Sequence, residues 1–143
     1  MIKNIFITLV LSLLLINNSY SKENFFDEAK KMFDNKKYEE SKFLFQRNIV
    51  FNPKDAKSYL YLAKIFNVEE NEIEEEKNLN TTLLLQPDNE DAMYMLINMQ
   101  LKKSDYFEVE GLLNNFSKIC NSLCNKIVSI KKRLNDIEAK EET

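Results

Sequence analysis

The chain has no histidine, no tryptophan, one glycine (Gly111), two prolines and two cysteines in 143 residues. Without histidine it lacks the side chain that most often serves as general base near neutral pH and as a zinc ligand. A single glycine starves any phosphate-cradling loop, and with only two prolines it leaves little turn chemistry for strands. Most enzyme classes are disfavoured by these absences. The carboxylates are placed nowhere in particular, so no catalytic residue is assigned, and neither a metal nor a cofactor is expected. What is present is rich in Leu, Lys, Glu, Asn and Ile, with 44% hydrophobic and 30% charged residues. That composition suits one helical domain with a modest core.

The amino terminus stands apart. Lys3 is the only charge in the first 21 residues; Ile5 to Ile16 form a weakly polar to apolar run of 12, and Asn17 and Asn18 lead into the small residues Ser19 and Ser21. A basic start, a short apolar run and a small-x-small end are the parts of a secretory signal. The run falls short of the roughly 20 apolar residues that a spanning helix needs. Residues 1–21 are therefore expected to be cleaved after about Ser21, giving a periplasmic protein with no stable membrane span, although retention as an anchor stays open. No cysteine lies near that end, which disfavours a lipid-anchored form. Loss of Lys3 moves the formal charge from -3 to -4, a balance unsuited to non-specific nucleic-acid binding.

From Phe25 onward, apolar residues recur at spacings of three and four. Phe25, Phe26, Ala29, Met32 and Phe33 mark a first helix, Asn35 to Lys37 a turn, and Tyr38, Ser41, Phe45 and Ile49 a second helix. Asn52 and Pro53 stop it, because proline donates no hydrogen bond and pushes its predecessor out of the helical region. Asp55 is expected to cap the next helix, with Tyr59, Leu62, Ala63 and Phe66 on its buried stripe. Pro87 follows Pro53 by 34 residues and closes TTLLLQP as Pro53 closes RNIVFNP, and Asn89 stands where Asp55 stood. A helix-turn-helix unit of that period implies a repeat solenoid.

In the third unit Met93, Leu96 and Ile97 mark the first helix, and Tyr106, Val109, Leu113 and Phe116 the second. After it, Leu123, Ile127, Ile130, Leu134 and Ile137 step by four, three, four and three, one narrow apolar seam. Such a seam suits a helix that covers the open end of a solenoid, with dimerisation as its second use. The tail from about Ala139 is expected to fray. Six of the eight residues from Glu69 to Glu76 are glutamate. Lacking the Asp/Asn alternation and glycine of a calcium loop, the run reads as a solvated helix start that suits the helix dipole.

Residues 22–118 resemble three tandem tetratricopeptide repeats. The resemblance rests on Phe25, Tyr59 and Met93 early in each first helix, small Ala29 and Ala63 at the crossings, Tyr38 and Tyr106 opening second helices, Phe45, Leu79 and Leu113 a turn later, and the closing prolines. Asn48, Glu72, Glu75, Ile97 and Phe116 depart from the family's preferences. The organisation expected is a signal over 1–21, three repeats over 22–121, and a capping helix with tail over 122–143: an all-α, α-α superhelix.

By that resemblance, the first helices line a concave groove that holds a peptide or partner segment, in a non-enzymatic interaction or scaffold module. Projection of those helices puts Phe26, Lys30, Phe33, Lys57, Leu60, Lys64, Tyr94 and Asn98 on the binding surface, with Glu23 and Asp91 towards its ends. Lys30, Lys57 and Lys64 in the middle would favour an acidic protein segment, although lysines there are more often just a solvated face. Tyr61 and Tyr94 are the tyrosines expected to show.

Cys120 and Cys124 are the only cysteines, and in an exported protein a pair is expected to be oxidised. Residues four apart in one helix hold their Cβ atoms roughly 5 to 6 Å apart, too far for a disulfide, so a bond implies a break there, with Asn121 ending one helix and Ser122 capping the last. The rival use is a redox dithiol acting in envelope assembly, for which C-x-x-x-C is an unusual spacing.

Overall fold

In a computed structural model, residues 25–141 are described, with side chains to Asp136. The segment expected to be a signal, Glu23, the side chain of Ile137 and the last two residues lie outside that range. The described residues form seven α-helices and no strand: α1 (Phe25–Asp34), α2 (Tyr38–Phe51), α3 (Ala56–Val68), α4 (Glu72–Leu85), α5 (Glu90–Lys103), α6 (Tyr106–Ile119) and α7 (Lys126–Glu141). They pair as α1 with α2, α3 with α4 and α5 with α6, each pair also packing on the next. This is the all-α repeat solenoid that the period of 34 implied.

Every turn inside a pair is closed in the same way. Lys36, Glu70 and Ser104 take left-handed φ values of 59°, 56° and 57°, one period apart. The following residue donates its amide back to the helix it has left: Lys37 to Met32, Asn71 to Phe66 and Asp105 to Gln100, at 2.9, 2.9 and 3.1 Å. These contacts satisfy carbonyls left open at the helix end. A chain with one glycine has put lysine, glutamate and serine where glycine costs least.

The helix starts are capped less uniformly. Asn71, Asn89 and Asp105 cap α4, α5 and α6 by accepting from Glu74, Ala92 and Glu108 amides. Asp55 stands at the start of α3 as expected but caps nothing with its side chain. Its carboxylate instead accepts from Asn48 Nδ2 at 2.8 Å and from Ser58 Oγ at 2.7 Å. Asn48, only 4% exposed, also donates to Ser58 Oγ at 2.8 Å. Asn48, one of the departures from the repeat pattern, is thus an amide that ties α2 to α3.

The buried apolar residues fall into two clusters. Ala29, Phe45, Leu62, Ile65 and Phe66 form one, with Phe26, Phe33, Tyr38 and Tyr61 packed on it. The other runs from Leu60, Ala63 and Leu79 through α5 and α6 to Ile130 and Leu134 of α7. The α7 seam therefore covers the open end of the third unit, with Leu123 and Ile127 packed on the same cluster. Among the described residues no helix is long and apolar enough to cross a membrane.

Candidate peptide-binding groove

Three first helices, α1, α3 and α5, carry the residues that the sequence placed on the groove, and the rings of α1 and α3 meet. Phe26 and Phe33 set their edges on Tyr61 at centroid distances of 5.8 and 5.1 Å, and Tyr61 stacks on Phe45 at 5.0 Å. Phe26, Phe33 and Tyr61 stay half-buried, so the three make an aromatic wall with one side to solvent. Edge and offset geometries of this kind suit the ring quadrupoles.

Around the wall the charges are largely matched. Lys30 Nζ lies 2.6 Å from Asp34, one turn along α1, and that hydrogen bond raises its pKa above the usual lysine value. Lys64 Nζ is 5.4 Å from the centroid of Tyr61 and pairs with Asp91 of α5 at 2.8 Å. Lys57 is exposed and has no polar partner among the described residues. Of the three lysines expected to make the groove basic, two are therefore already neutralised.

Leu60 does not share this surface. It is 7% exposed and packed in the larger cluster, while its neighbour Tyr61 takes the place on the wall. Tyr94 is half-buried with its ring 6.3 Å from Phe116. Asn98 accepts from Arg133 of α7 at 2.6 Å, so the capping helix reaches the same side and occupies that amide. Phe26, Lys30, Phe33 and Lys64 thus come together, Lys57 stands free, Tyr94 and Asn98 lie one unit further on, and Tyr61 and Arg133 complete the surface.

A cleft of about 390 Å³ lies near that end, lined by Asn67, Glu72, Glu75, Asn98, Lys102 and Arg133 among others. Glu75 is 5% exposed, and burial pushes its carboxyl above the usual range even though Asn67 donates to it at 3.0 Å. Much of the glutamate run therefore differs from a solvated helix start. Glu69 pairs with Lys42 of α2 at 2.7 Å, and Glu76 with Lys103 of α5 at 2.6 Å, its pKa lowered by that hydrogen bond. These two contacts pin the second unit to its neighbours on either side.

The sulfur atoms of Cys120 and Cys124 lie at bonding distance, with Cα atoms 5.2 Å apart, in the loop between α6 and α7. Ser122 does not cap α7, which begins at Lys126. Its amide and hydroxyl both go to the carboxylate of Glu90 in the first turn of α5, which also accepts from the amides of Asn121 and Leu123.

No family model matches the chain, and no curated protein matches it. Solved structures do. The type III secretion translocator chaperone SycD of Yersinia enterocolitica is 17% identical, with 93% of this chain and 94% of that one aligned at a TM-score of 0.71. SycD in complex with a peptide of the translocator YopD matches at 16% identity over 87% and 97% of the two chains, TM-score 0.71. The TPR2B domain of yeast Sti1, in its complex with pHsp70, matches at 17% identity over 80% and 95%, TM-score 0.70. The fold is that of the tetratricopeptide repeats.

Proposed function

We propose that the protein is an exported, periplasmic, non-enzymatic binding module that holds a segment of another protein against α1, α3 and α5. The observation that carries this reading is the half-open aromatic wall of Phe26, Phe33 and Tyr61, and it is supported by SycD, similar in fold, being in complex with a peptide of YopD. A partner's apolar or aromatic side chain lies on the wall, where ring packing contributes beyond simple burial. An acidic residue beside it meets Lys57 and shares Lys30 and Lys64 with Asp34 and Asp91. The test is photo-crosslinking in the exporting cell from a probe at Lys57, with a control probe at Glu74. One dominant foreign protein captured from Lys57 alone is expected; the same adducts from both probes would retire the groove. Affinity that does not change with ionic strength would remove the acidic preference.

The exposure of Cys124 favours one second reading, a thiol-based redox or envelope-assembly role through Cys120 and Cys124. Loss of function on Cys124→Ser without loss of stability would select it. A structural subunit docking through the last helix has less to work with, since Ile130 and Leu134 are spent inside the chain and, among the described side chains of α7, Val128 is the large apolar one left exposed.

A further inference from the structure

Two acids and two cations face one space in the cleft of about 390 Å³, Glu72 and Glu75 from α4, Lys102 from α5 and Arg133 from α7. Opposite charges so placed attract strongly where water is partly excluded, yet these stay apart. Among the described residues Glu72 and Lys102 make no hydrogen bond or ion pair, and Arg133 donates only to the Asn98 amide oxygen. Asn98 is itself held, its Nδ2 donating to the Tyr94 carbonyl at 2.8 Å, so the amide sets where the guanidinium stands. The contrast lies one residue along each helix, where Glu76 and Lys103 do meet, at 2.6 Å. Glu75 is the sharper observation. It is 5% exposed, and a buried carboxylate costs free energy unless it is paired. Asn67 donates to Oε1 at 3.0 Å. Oε2 has no hydrogen-bond partner among the described residues, and no enclosed side-chain oxygen there lacks one, so Oε2 reaches the surface of the cleft that Glu75 lines. Burial raises the pKa of this carboxyl, the Asn67 hydrogen bond and then Lys102 draw it partly back, and Glu72 raises it again. Both neighbouring charges are therefore within electrostatic reach.

We propose that the cleft binds a free apolar α-amino acid as its zwitterion, the ammonium donating to Glu75 Oε2 and Glu72 and the carboxylate accepting from Lys102 Nζ and the Arg133 guanidinium. The lining selects that chemistry. An anion alone meets two acids and a cation alone meets two bases, whereas a molecule that carries both charges gives each side chain its opposite. The bonds it makes are charge-assisted, and the planar Arg133 guanidinium suits a carboxylate. Met95 and Met99 supply the apolar part of the lining, and the thioether side chain adapts to apolar groups of differing shape. The volume is at the small end of the roughly 300–1,000 Å³ of ligand pockets, which fits a single amino acid better than a peptide. This site stands independently of segment binding at the aromatic wall, which is built from α1, α2 and α3.

Isothermal titration calorimetry of the purified full chain with L-leucine tests it, alongside L-leucinamide, which lacks the negative charge, and N-acetyl-L-leucine, which lacks the positive one. One-to-one binding of L-leucine with a Kd below about 1 mM is expected, weakened at least about tenfold by either cap. Glu75→Gln keeps an oxygen for Asn67, and Lys102→Gln changes an exposed side chain that has no hydrogen bond or ion pair among the described residues. Each is expected to weaken L-leucine at least about tenfold. Circular dichroism checks the fold of both, and where Glu75→Gln disturbs it Lys102→Gln decides. Absence of saturable heat up to about 10 mM L-leucine overturns the proposal. So does a capped compound that binds as tightly as L-leucine, which would make the cleft a site for one charge only, or a folded Lys102→Gln that binds L-leucine as the wild type does.

Discussion

Glu90 holds Ser122. One carboxylate oxygen takes the Ser122 hydroxyl, and the other accepts the Asn121 amide at 2.8 Å, so the first turn of α5 grips the loop that leads to the capping helix. In the two earlier units a proline stood at the corresponding end, and stiffness of the chain made the turn. In the third unit a carboxylate makes it.

The grip is pH-dependent. The Ser122 hydroxyl, followed by the Asn121 amide, pulls the Glu90 carboxyl down to about 2 from an ordinary 4.5. A depressed folded-state pKa contributes stability that is present above the unfolded value and lost as pH falls through the folded one. Glu90→Gln is therefore expected to melt below the wild type at pH 7, and the gap is expected to close between pH 4.5 and about 2. A gap that stays constant over that window would show that the charge is not what ties the loop.

Reduction addresses the same loop from the other side. Closing it covalently through Cys120 and Cys124 is worth about 2 kcal/mol in the chain-entropy account. Reductant, or Cys120→Ser with Cys124→Ser, is expected to lower the unfolding free energy from denaturant titration by that amount and leave partner capture from Lys57 intact. Capture lost at unchanged stability would move the weight to the redox reading.

The left-handed turns leave stability unclaimed. Lys36, Glu70 and Ser104 each carry a Cβ in a region that disfavours one by about 1–2 kcal/mol, partly offset by the backbone entropy of glycine. Lys36→Gly and Ser104→Gly are each expected to stabilise by about 0.5–1 kcal/mol, additively, since two periods separate them. Urea titrations of the two single variants and the double check this.

Asn48 tests whether a departure from the family has a purpose. Asn48→Ala leaves the Asp55 carboxylate and Ser58 hydroxyl short of a donor and is expected to cost about 1–3 kcal/mol. In Asn48→Ala/Ser58→Ala the second change is expected to cost less than it does alone, because both groups belong to one network. A neutral Asn48→Ala would mean that water serves equally well.

Much of this architecture was legible because it is periodic. Pro53 and Pro87 announced both the length of the unit and the ends of α2 and α4, and apolar spacings of three and four placed the helices between them. The groove was harder to read. In α3 the run YLYLAKIF is apolar nearly all round, so the pattern does not say which of Leu60 and Tyr61 turns inward; packing against Ala63 and Leu79 takes the leucine, and the ring is left on the wall. The pairs Lys42 with Glu69, Lys64 with Asp91 and Lys103 with Glu76 each span 27 residues, a separation that follows no period of the repeat. Charges read along one helix look solvated when their partners stand on another. The Glu90 clasp left no trace in the sequence, since a glutamate in the first turn of a helix already has a sufficient reason to be there.

The division of the core at α3 decides the order in which the molecule comes apart. Leu62, Ile65 and Phe66 belong to one cluster, and Leu60 and Ala63 to the other. Peeling away α1 and α2 sacrifices the aromatic half alone, and peeling away α6 and α7 sacrifices only the aliphatic half, as in any array whose units lean on their neighbours. The third helix is released when both are gone. Fraying thus advances from the two ends towards the middle, slowest amide exchange marks α3, and Tyr61 at the centre of the groove stands on the last element to let go.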